Sequence, residues 1–407
     1  MKTIYIFAPF DPLPGEPGYP GRFGTIQTVL KKLGHECVWW TSDWDHAAKR
    51  RRNADQLPSD IRVLPTPAYE KNVSFRRFYN HRILAERYLQ TLREEIGNGK
   101  IVAPSLQFVA LPPIDAITAC LKIRAEFSGL VVLDIMDVWP ETFYQAIPIG
   151  SIAMKRWLGC LLFYPQMRKV RRAISECDAL TAQSTSFLDW AQNLGFSGRP
   201  SHVCYLGADL SEPIAQRRFD PEGSLRLGYL GAMGVSYDLE TLLTVVYRIR
   251  KEGVLLELDL IGGGTKEDQL RNWVKAHGLE SSIRFHGYLP KQEAFKHLAR
   301  CHMGLVPMFP ESGVTVPYKS CEYAGVGLGL IHSLPGELGN LVKEYSAGVA
   351  YRAGDENSLY KVLCSVLDAP ETVATYSQGA ARMAEAVFDR NKIYIGLGEF
   401  LSELDTG

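Results

Sequence analysis

Short, nearly unbroken apolar runs recur along this chain, each followed by a glycine-rich or polar turn and then a segment with helical spacing. Thr3–Pro9 is the first run, and the loop Asp11–Gly24 after it carries Gly15, Gly18, Gly21 and Gly24. A helix follows over Thr25–Leu33, stopped by Gly34 in the usual C-terminal position, and Glu36–Thr41 gives a second strand. Runs apolar on both faces are the mark of a parallel sheet covered on both sides. The pattern continues with a long helix (Ser74–Ile96), a strand and its continuation (Ile101–Ala103, Phe108–Leu111), a helix (Asp115–Phe127) and a strong strand (Leu130–Asp134). Ala179–Gln183, Ser184–Asn193 and His202–Tyr205 close the first half as strand, helix and strand.

Gln216–Ser224 is polar, holds Pro221 and Gly223, and reads as a linker. The alternation then starts afresh. Strands are expected at Leu225–Leu230, Leu255–Ile261, Ile283–His286, His302–Pro307 and Leu328–Ser333, with helices at Leu239–Lys251, Lys266–His277 and Gln292–Arg300 between the first four. The tail from Ser358 is helical, broken at Pro370 and near Asp389–Lys392. The fold class expected is α/β, with two Rossmann-like doubly wound domains. The divisions expected are residues 1–210, residues 211–388, and a helix in 389–407 that packs back on the first domain.

At 407 residues two cores are the default. Lys+Arg and Asp+Glu both number 45, so net charge offers no argument for nucleic acid. The eight cysteines include no CxxC pair, which speaks against a cysteine-rich zinc site or a disulfide framework and fits a reducing cytosol; no metal is expected. The apolar start MKTIYIFAPF is a first strand rather than a signal peptide, and no run reaches the ~18 residues of a membrane span. Any membrane contact is therefore peripheral, and the expected location is cytoplasmic.

Chemistry is concentrated at strand ends. In PESGVTVPYKSCEYAGVGLG (310–329), Lys319 and Glu322 are three apart and share a helix face near its positive end, where phosphate binds readily. Gly231 and Gly234 follow one strand and Gly262, Gly263 and Gly264 another; such turns either offer N–H groups to phosphate or are simply tight turns. LDIMDVWPETF puts Asp134 and Asp137 at a strand end as acceptor-hydroxyl contacts, Glu141 less so, with helix capping as the other reading of an Asp there. Lys49–Arg52 reads as a solvated loop or an anionic-membrane contact. Ser151–Ala173 has an apolar centre, Trp157–Tyr164, edged by Lys155, Arg156, Arg168, Lys169, Arg171 and Arg172. It reads equally as a membrane-resting element and as a buried helix with a charged end.

Several segments together resemble the retaining glycosyltransferases of the GT-B fold, glycosyltransferase family 4, in the branch serving bacterial polysaccharide assembly. RLGYLGAMGVSYDLETLL, LELDLIGGGTKEDQL, IRFHGYLP, HMGLVPM, PYKSCEYAGVGLGLI and SAGVAYRAGDENSL are similar, in order, to the family's nucleotide-binding half, and LKKLGHECVWWT, LDIMDVWPETF and YLGADL resemble pieces of its first half. The resemblance implies a hexosyl transfer from a UDP- or GDP-sugar to a glycan or lipid-linked glycan. It implies two domains facing a central cleft, retention of configuration, no essential metal and no cofactor beyond the nucleotide sugar, while the basic-edged Ser151–Ala173 element is what points to peripheral contact with the inner membrane face. It places Glu322 on the donor ribose, and Lys319 near the diphosphate with Tyr318 beside it. Gly231 and Ala232 fall at the phosphate-side turn, Gly263 and Tyr288 in the following turns, and Gly21 in the loop that meets the donor from the first domain. Asp137 or Asp134 serves the acceptor.

Three positions depart from the pattern. Val314 stands where the first Glu of the two-Glu motif belongs, Val235 and Tyr237-Asp238 replace a basic pair after the glycine turn, and Gly329 replaces a Pro. These departures keep open a non-catalytic nucleotide-sugar-binding subunit, and a nucleotide-sugar 2-epimerase, which shares the two-domain architecture, is the other alternative.

Overall fold

The computed structural model of the chain describes residues 1–72, 74–147, 151–211, 214–220 and 222–405; Pro221 of the expected linker lies outside them. Two units result, Met1–Cys204 with Tyr394–Gly407, and Tyr205–Ile393.

The first unit is built on strands β1 (Thr3–Phe7), β2 (Glu36–Ser42), a two-stranded ribbon β3 (Trp44–Asp45) and β4 (Arg50–Arg51), then β5 (Ile61–Leu64), β6 (Leu106–Leu111), β7 (Leu130–Ile135), β8 (Ala179–Ala182) and β9 (Ser201–Val203). Its parallel sheet runs β5-β2-β1-β6-β7-β8-β9. Helices α1 (Gly21–Lys32), α2 (Phe75–Gly97), α3 (Ile114–Phe127), α4 (Ile152–Leu162), α5 (Tyr164–Glu176) and α6 (Thr185–Asn193) connect the strands. β6 is buried at every position, and its one polar side chain, Gln107, meets the Tyr88 hydroxyl and the Cys120 carbonyl. A buried amide left without those partners would cost free energy on the scale of a lost hydrogen bond.

Three local expectations are corrected. Ile101–Ala103 is not a strand; Pro104 precedes β6, which begins at Leu106. Helix α1 starts at Gly21 rather than Thr25, because the Asp11 carboxylate accepts the Phe23 N–H at 2.6 Å and satisfies an orphan donor of its first turn. Lys49–Arg52 is not a solvated loop throughout: Arg50–Arg51 pairs as β4, and Arg52 is a buried side chain 3.0 Å from Glu16.

The second unit has a sheet of order β12-β11-β10-β13-β14-β15, from β10 (Leu225–Leu230), β11 (Leu256–Ile261), β12 (Ile283–Gly287), β13 (Met303–Val306), β14 (Gly329–His332) and β15 (Gly348–Ala350). All of its pairs are parallel. Between and after the strands lie α7 (Leu239–Lys251), α8 (Glu267–Ala276), α9 (Lys291–Leu298), α10 (Tyr318–Gly325), α11 (Glu337–Tyr345), α12 (Glu356–Asp368), α13 (Glu371–Met383) and α14 (Arg390–Glu403). The first unit takes α14 from Tyr394 onward.

Helix α10 is short, yet it is anchored at the sheet's centre. The β10–β13 ladder stops at Gly228, and the next inward N–H, of Leu230, donates to the Tyr323 hydroxyl at 2.6 Å. Gly304 in β13 has no side chain, and a Cβ there would stand 2.6 Å from the Tyr323 ring. That gap lets the fully buried tyrosine lie flat on the sheet and fixes α10 under the end of β10. Tyr323→Phe keeps the ring but strands the Leu230 N–H, so a loss of about 1–3 kcal/mol is expected, read as a lower urea midpoint of the full chain at unchanged slope.

Candidate functional site

The carboxyl ends of β10, β11 and β12 each turn on glycine. Gly231 has φ +146° and Gly262 φ +121°, and a Cβ on Gly262 would stand 2.1 Å from the Gly231 carbonyl oxygen. Met233 N–H donates to Gly263 O and Lys266 N–H to Met233 O, both at 2.9 Å, so the first two turns lie against each other. Gly262 N–H reaches Gly287 O at 2.8 Å and draws in the third turn, beyond which Tyr288 is 82 % exposed.

Lys319 comes into this arrangement from α10. Its ammonium packs against Gly231, where a Cβ would stand 2.6 Å from Nζ, and sits 4.1 Å from the centroid of the Tyr229 ring and 4.4 Å from that of Tyr237. The residue is 8 % exposed, and among the described residues Nζ has no hydrogen-bond acceptor. Two ring faces attract a cation but do not replace the hydrogen bonds an ammonium loses on leaving water. Burial accordingly pulls the Lys319 pKa down to about 7, with Glu322 opposing. The exposed Ala232 follows Gly231 in the turn, so an anion resting there is separated from the ammonium only by a residue without a side chain.

Glu322, one turn on, faces elsewhere. Lys291 Nζ is 3.4 Å from its Oε1 and 3.5 Å from the Tyr318 hydroxyl. Burial raises the Glu322 pKa, and Lys291 and Tyr318 hold it down. The carboxylate is 8 % exposed, with a cation and a phenol beside it, an arrangement suited to accepting further hydroxyl protons.

Gly263 is less favourable to an anion: Glu267 Oε2 and the Tyr288 ring crowd it, at 2.8 and 2.7 Å from where a Cβ would be. Arg271 holds that carboxylate at 2.7 Å. Val314 lies exposed in the loop after Pro310–Ser312 and brings no carboxylate, and Glu311 in that turn is exposed.

Among the residues predicted in this unit, the structure brings Gly231, Ala232, Gly263 and Lys319 to one set of turns. Tyr318 and Glu322 sit alongside on α10, and Tyr288 beside Gly263. Sequence reasoning missed Tyr229, Tyr237 and Lys291. The first two lie in strand and turn positions whose aromatic character is ordinary for a core, and Lys291 opens a surface helix.

The remaining predicted residues lie in the first unit. Asp134 is fully buried at the end of β7: Arg22 grips it at 2.7 and 2.8 Å and Thr181 donates to it at 2.6 Å. Arg22 also donates to the Cys204 carbonyl at 2.8 Å. This carboxylate positions the strand ends and presents nothing to an acceptor, which corrects the expectation for Asp134. Gly21, at φ +58°, stands at the start of α1 directly over Asp11, where a Cβ would be 2.6 Å from Oδ2. Burial lifts the Asp11 pKa to about 6 despite the helix N–H groups.

Asp137 is half-buried, with Thr142 Oγ1 donating at 2.6 Å and Trp139 Nε1 at 3.0 Å, and burial raises its pKa. Glu141 accepts from Trp190 Nε1 at 3.1 Å. Trp139 also lines a cavity of about 280 Å³ with Phe78, His81, Ile114, Gln166 and Lys169. His81 Nε2 and Gln166 Oε1 are buried with no hydrogen-bond partner among the described residues. Burial and Arg77, whose guanidinium stacks 4.6 Å over Trp139, push the His81 pKa well down, so the imidazole is neutral.

The element Ser151–Ala173 is two helices, α4 and α5, parted at Phe163 where Pro165 opens the second. It is not a buried helix. Trp157 is 66 % and Leu161 and Leu162 each 63 % exposed, with Met154 and Tyr164 also exposed. Among the described residues no helix is long and apolar enough to cross a membrane.

Comparison with known proteins places these features. Residues 224–369 match the family described as "Glycosyl transferases group 1". Glycogen synthase of Mycobacterium tuberculosis is 27% identical over 218 residues, 53% of this chain and 52% of that protein. Amylovoran biosynthesis glycosyltransferase AmsK of Erwinia amylovora is 23% identical over 159 residues, 38% of this chain and 39% of AmsK. The chain thus spans about half the length, or less, of the curated relatives it matches. Anabaena Alr3699/HepE, solved in complex with UDP, superposes with a TM-score of 0.68 at 16% identity over 99% of this chain and 100% of that one. A second HepE structure is a complex with UDP-glucose. Likeness at that identity speaks for the fold, and the fold is the expected GT-B class of two doubly wound units.

The buried ammonium makes a stability prediction. The Lys319 pKa is about 7 in the folded chain against an ordinary 10.5. Between those values the unfolded chain binds the extra proton, so this group's contribution to stability rises with pH. Lys319→Met should therefore stabilise the chain at pH 6 by on the order of a few kcal/mol. Urea unfolding of parent and variant from pH 6 to 9 should show this advantage shrinking as pH rises.

Proposed function

We propose that the chain is a retaining, metal-independent glycosyltransferase that moves a hexosyl group from a nucleotide-diphosphate sugar to a hydroxyl of a glycan or lipid-linked glycan in cell-surface polysaccharide assembly. The observation that carries this reading is the Lys319 ammonium, buried directly behind Gly231 with no acceptor among the described residues. A charge kept there at a cost in stability has its use when an anion arrives. HepE in complex with UDP and with UDP-glucose, on the same fold, supports a uridine nucleotide sugar as the first donor to try. AmsK, named for amylovoran biosynthesis, supports the polysaccharide setting.

In this reading the second unit holds the donor, with diphosphate on the Gly231–Ala232 turn backed by Lys319 and the ribose hydroxyls on Glu322. The bond from the anomeric carbon to the diphosphate oxygen breaks, and the acceptor oxygen bonds to that carbon on the same face. The departing diphosphate carries the developing negative charge, and a preorganised cation close to it lowers the barrier without having to reorient. The acceptor belongs to the first unit. Asp137, set by Trp139 and Thr142, orients the attacking hydroxyl and receives its proton. Its burial-raised pKa suits that proton transfer better than an ordinary exposed carboxylate would.

Binding and turnover separate the roles. Isothermal titration with UDP-glucose, or with whichever nucleotide sugar most raises the melting temperature, should weaken as pH climbs above about 7. At pH 8, proton uptake should appear on comparing two buffers of different ionisation enthalpy. Both signals should be absent in Lys319→Met, whose affinity falls about tenfold or more. Asp137→Asn should leave donor affinity within about twofold and cut turnover by about 10²-fold or more. Donor binding unchanged in Lys319→Met would refute the site. Proton NMR of the product should show the donor's anomeric configuration; conversion of donor alone to its 2-epimer would establish the epimerase instead.

Contact with anionic lipid is part of the proposal, through the exposed apolar side chains of α4 and α5 beside Arg156, Arg168 and Arg171. Flotation should recover the chain with phosphatidylglycerol vesicles and not with phosphatidylcholine vesicles. Trp157→Ser with Leu161→Ser should abolish recovery while donor affinity stays unchanged.

A further inference from the structure

Asp259 in β11, His286 in the edge strand β12 and His297 in α9 converge, their ligand atoms all within 4.8 Å of one another. His286 Nε2 is 2.7 Å from Asp259 Oδ1, and the two imidazole rings have centroids 4.0 Å apart. A fourth donor adjoins them. Cys301 follows His297 by four positions, and its Sγ is 3.9 Å from Asp259 Oδ2. Gly228 in β10 makes room for that thiol, since a Cβ there would stand 2.9 Å from Sγ. Asp259 is 5 % exposed, Cys301 1 %, and the His286 side chain 18 %. The nearest guanidinium, Arg284, is 3.9 Å from Asp259 and makes its close contact, 2.7 Å, with Glu257 instead. A buried carboxylate thus has two imidazoles at one oxygen and a thiol beside the other, with Arg284 3.9 Å away.

We propose that Asp259, His286, His297 and Cys301 form a Zn²⁺ site. One oxygen, two nitrogens and one sulfur is a donor set that suits zinc and that calcium and magnesium, which take oxygen, do not. Tetrahedral zinc with bonds of about 2.0–2.3 Å holds its ligand atoms about 3.3–3.8 Å apart. The Asp259, His286 and His297 atoms, within 4.8 Å of one another, contract onto an ion by rotamer adjustment, and Cys301 joins them by turning its Sγ away from the His297 carbonyl, 3.5 Å off. Four protein ligands close the coordination sphere, so the role is structural: the ion clips α9 onto the edge strand of the sheet. The argument from cysteine spacing does not touch this site, because three of its ligands are not cysteine. The site is independent of the sugar-transfer reading and takes no part in its steps.

The test uses the full chain, stripped with a chelator and titrated with Zn²⁺ against a chromophoric competitor. The expected result is one ion per chain and a raised melting temperature. Co²⁺ in place of Zn²⁺ should give the intense visible bands of a four-coordinate ion and a near-ultraviolet sulfur-to-cobalt band that Cys301→Ser removes. His297→Ala, on the helix surface, should weaken Zn²⁺ binding by about tenfold or more, and His286→Gln should do the same if the first variant folds poorly. His277→Ala, beside Trp273 on α8, should leave binding unchanged. Equal Zn²⁺ affinity in parent, His297→Ala and His286→Gln, or a six-coordinate Co²⁺ spectrum, would overturn the proposal. Donor affinity measured on stripped chain tells this failure apart from a failure of the transferase reading.

Discussion

The seating of α10 under the end of β10 is the constraint on which the second unit's chemistry depends. One turn of that helix supplies both halves of it. Tyr323 closes a backbone donor that the sheet leaves open, and Lys319, four residues earlier, is thereby carried to the back of the Gly231 turn. The first contact is a hydrogen bond worth having in any fold. The second is electrostatically adverse until something negative sits on the turn. The stable contact holds the adverse one in place, and a helix of only eight residues suffices because its buried side chains, not its length, determine its position.

The first unit shows the same division with the sign reversed. Arg22 and Asp134 are a buried ion pair with every strong partner satisfied, reaching from α1 to β7 and on to the chain leaving β9. Such a pair contributes little net stability, but losing either member leaves an uncompensated charge and is severely destabilising. It aligns the strand ends without meeting any ligand. Asp137, three residues later and half-buried, keeps the reach that Asp134 lacks. Two carboxylates in one short segment therefore separate by burial and by partner, a guanidinium holding Asp134 and a hydroxyl and an indole N–H holding Asp137.

That separation marks the limit of what the sequence discloses. The alternation of apolar runs with helical spacing reveals the two doubly wound units, because burial on both faces of a parallel sheet leaves no other pattern. Glycine at the end of β10, and Lys319 and Glu322 on one short helix, were equally legible, since turn geometry and helix periodicity are local. What was not legible is everything fixed by packing between distant segments. Nothing near position 229 announces that its ring will cradle a cation from position 319. Nothing around Asp134 announces the guanidinium of Arg22. The start of α1 was misplaced for the same reason, its first-turn donor being satisfied from Asp11 across a loop.

The contact between Gly231 and the Lys319 ammonium also constrains how this chain can diverge. Any side chain at 231 would occupy the space of the lysine's terminal atoms, and shortening the lysine would open a void behind the turn. Neither position can drift alone without strain or a cavity. Replacing the lysine would clear the space but not the backbone, since φ at 231 is +146° and still favours glycine. The two positions, far apart in the chain, are in effect one heritable character.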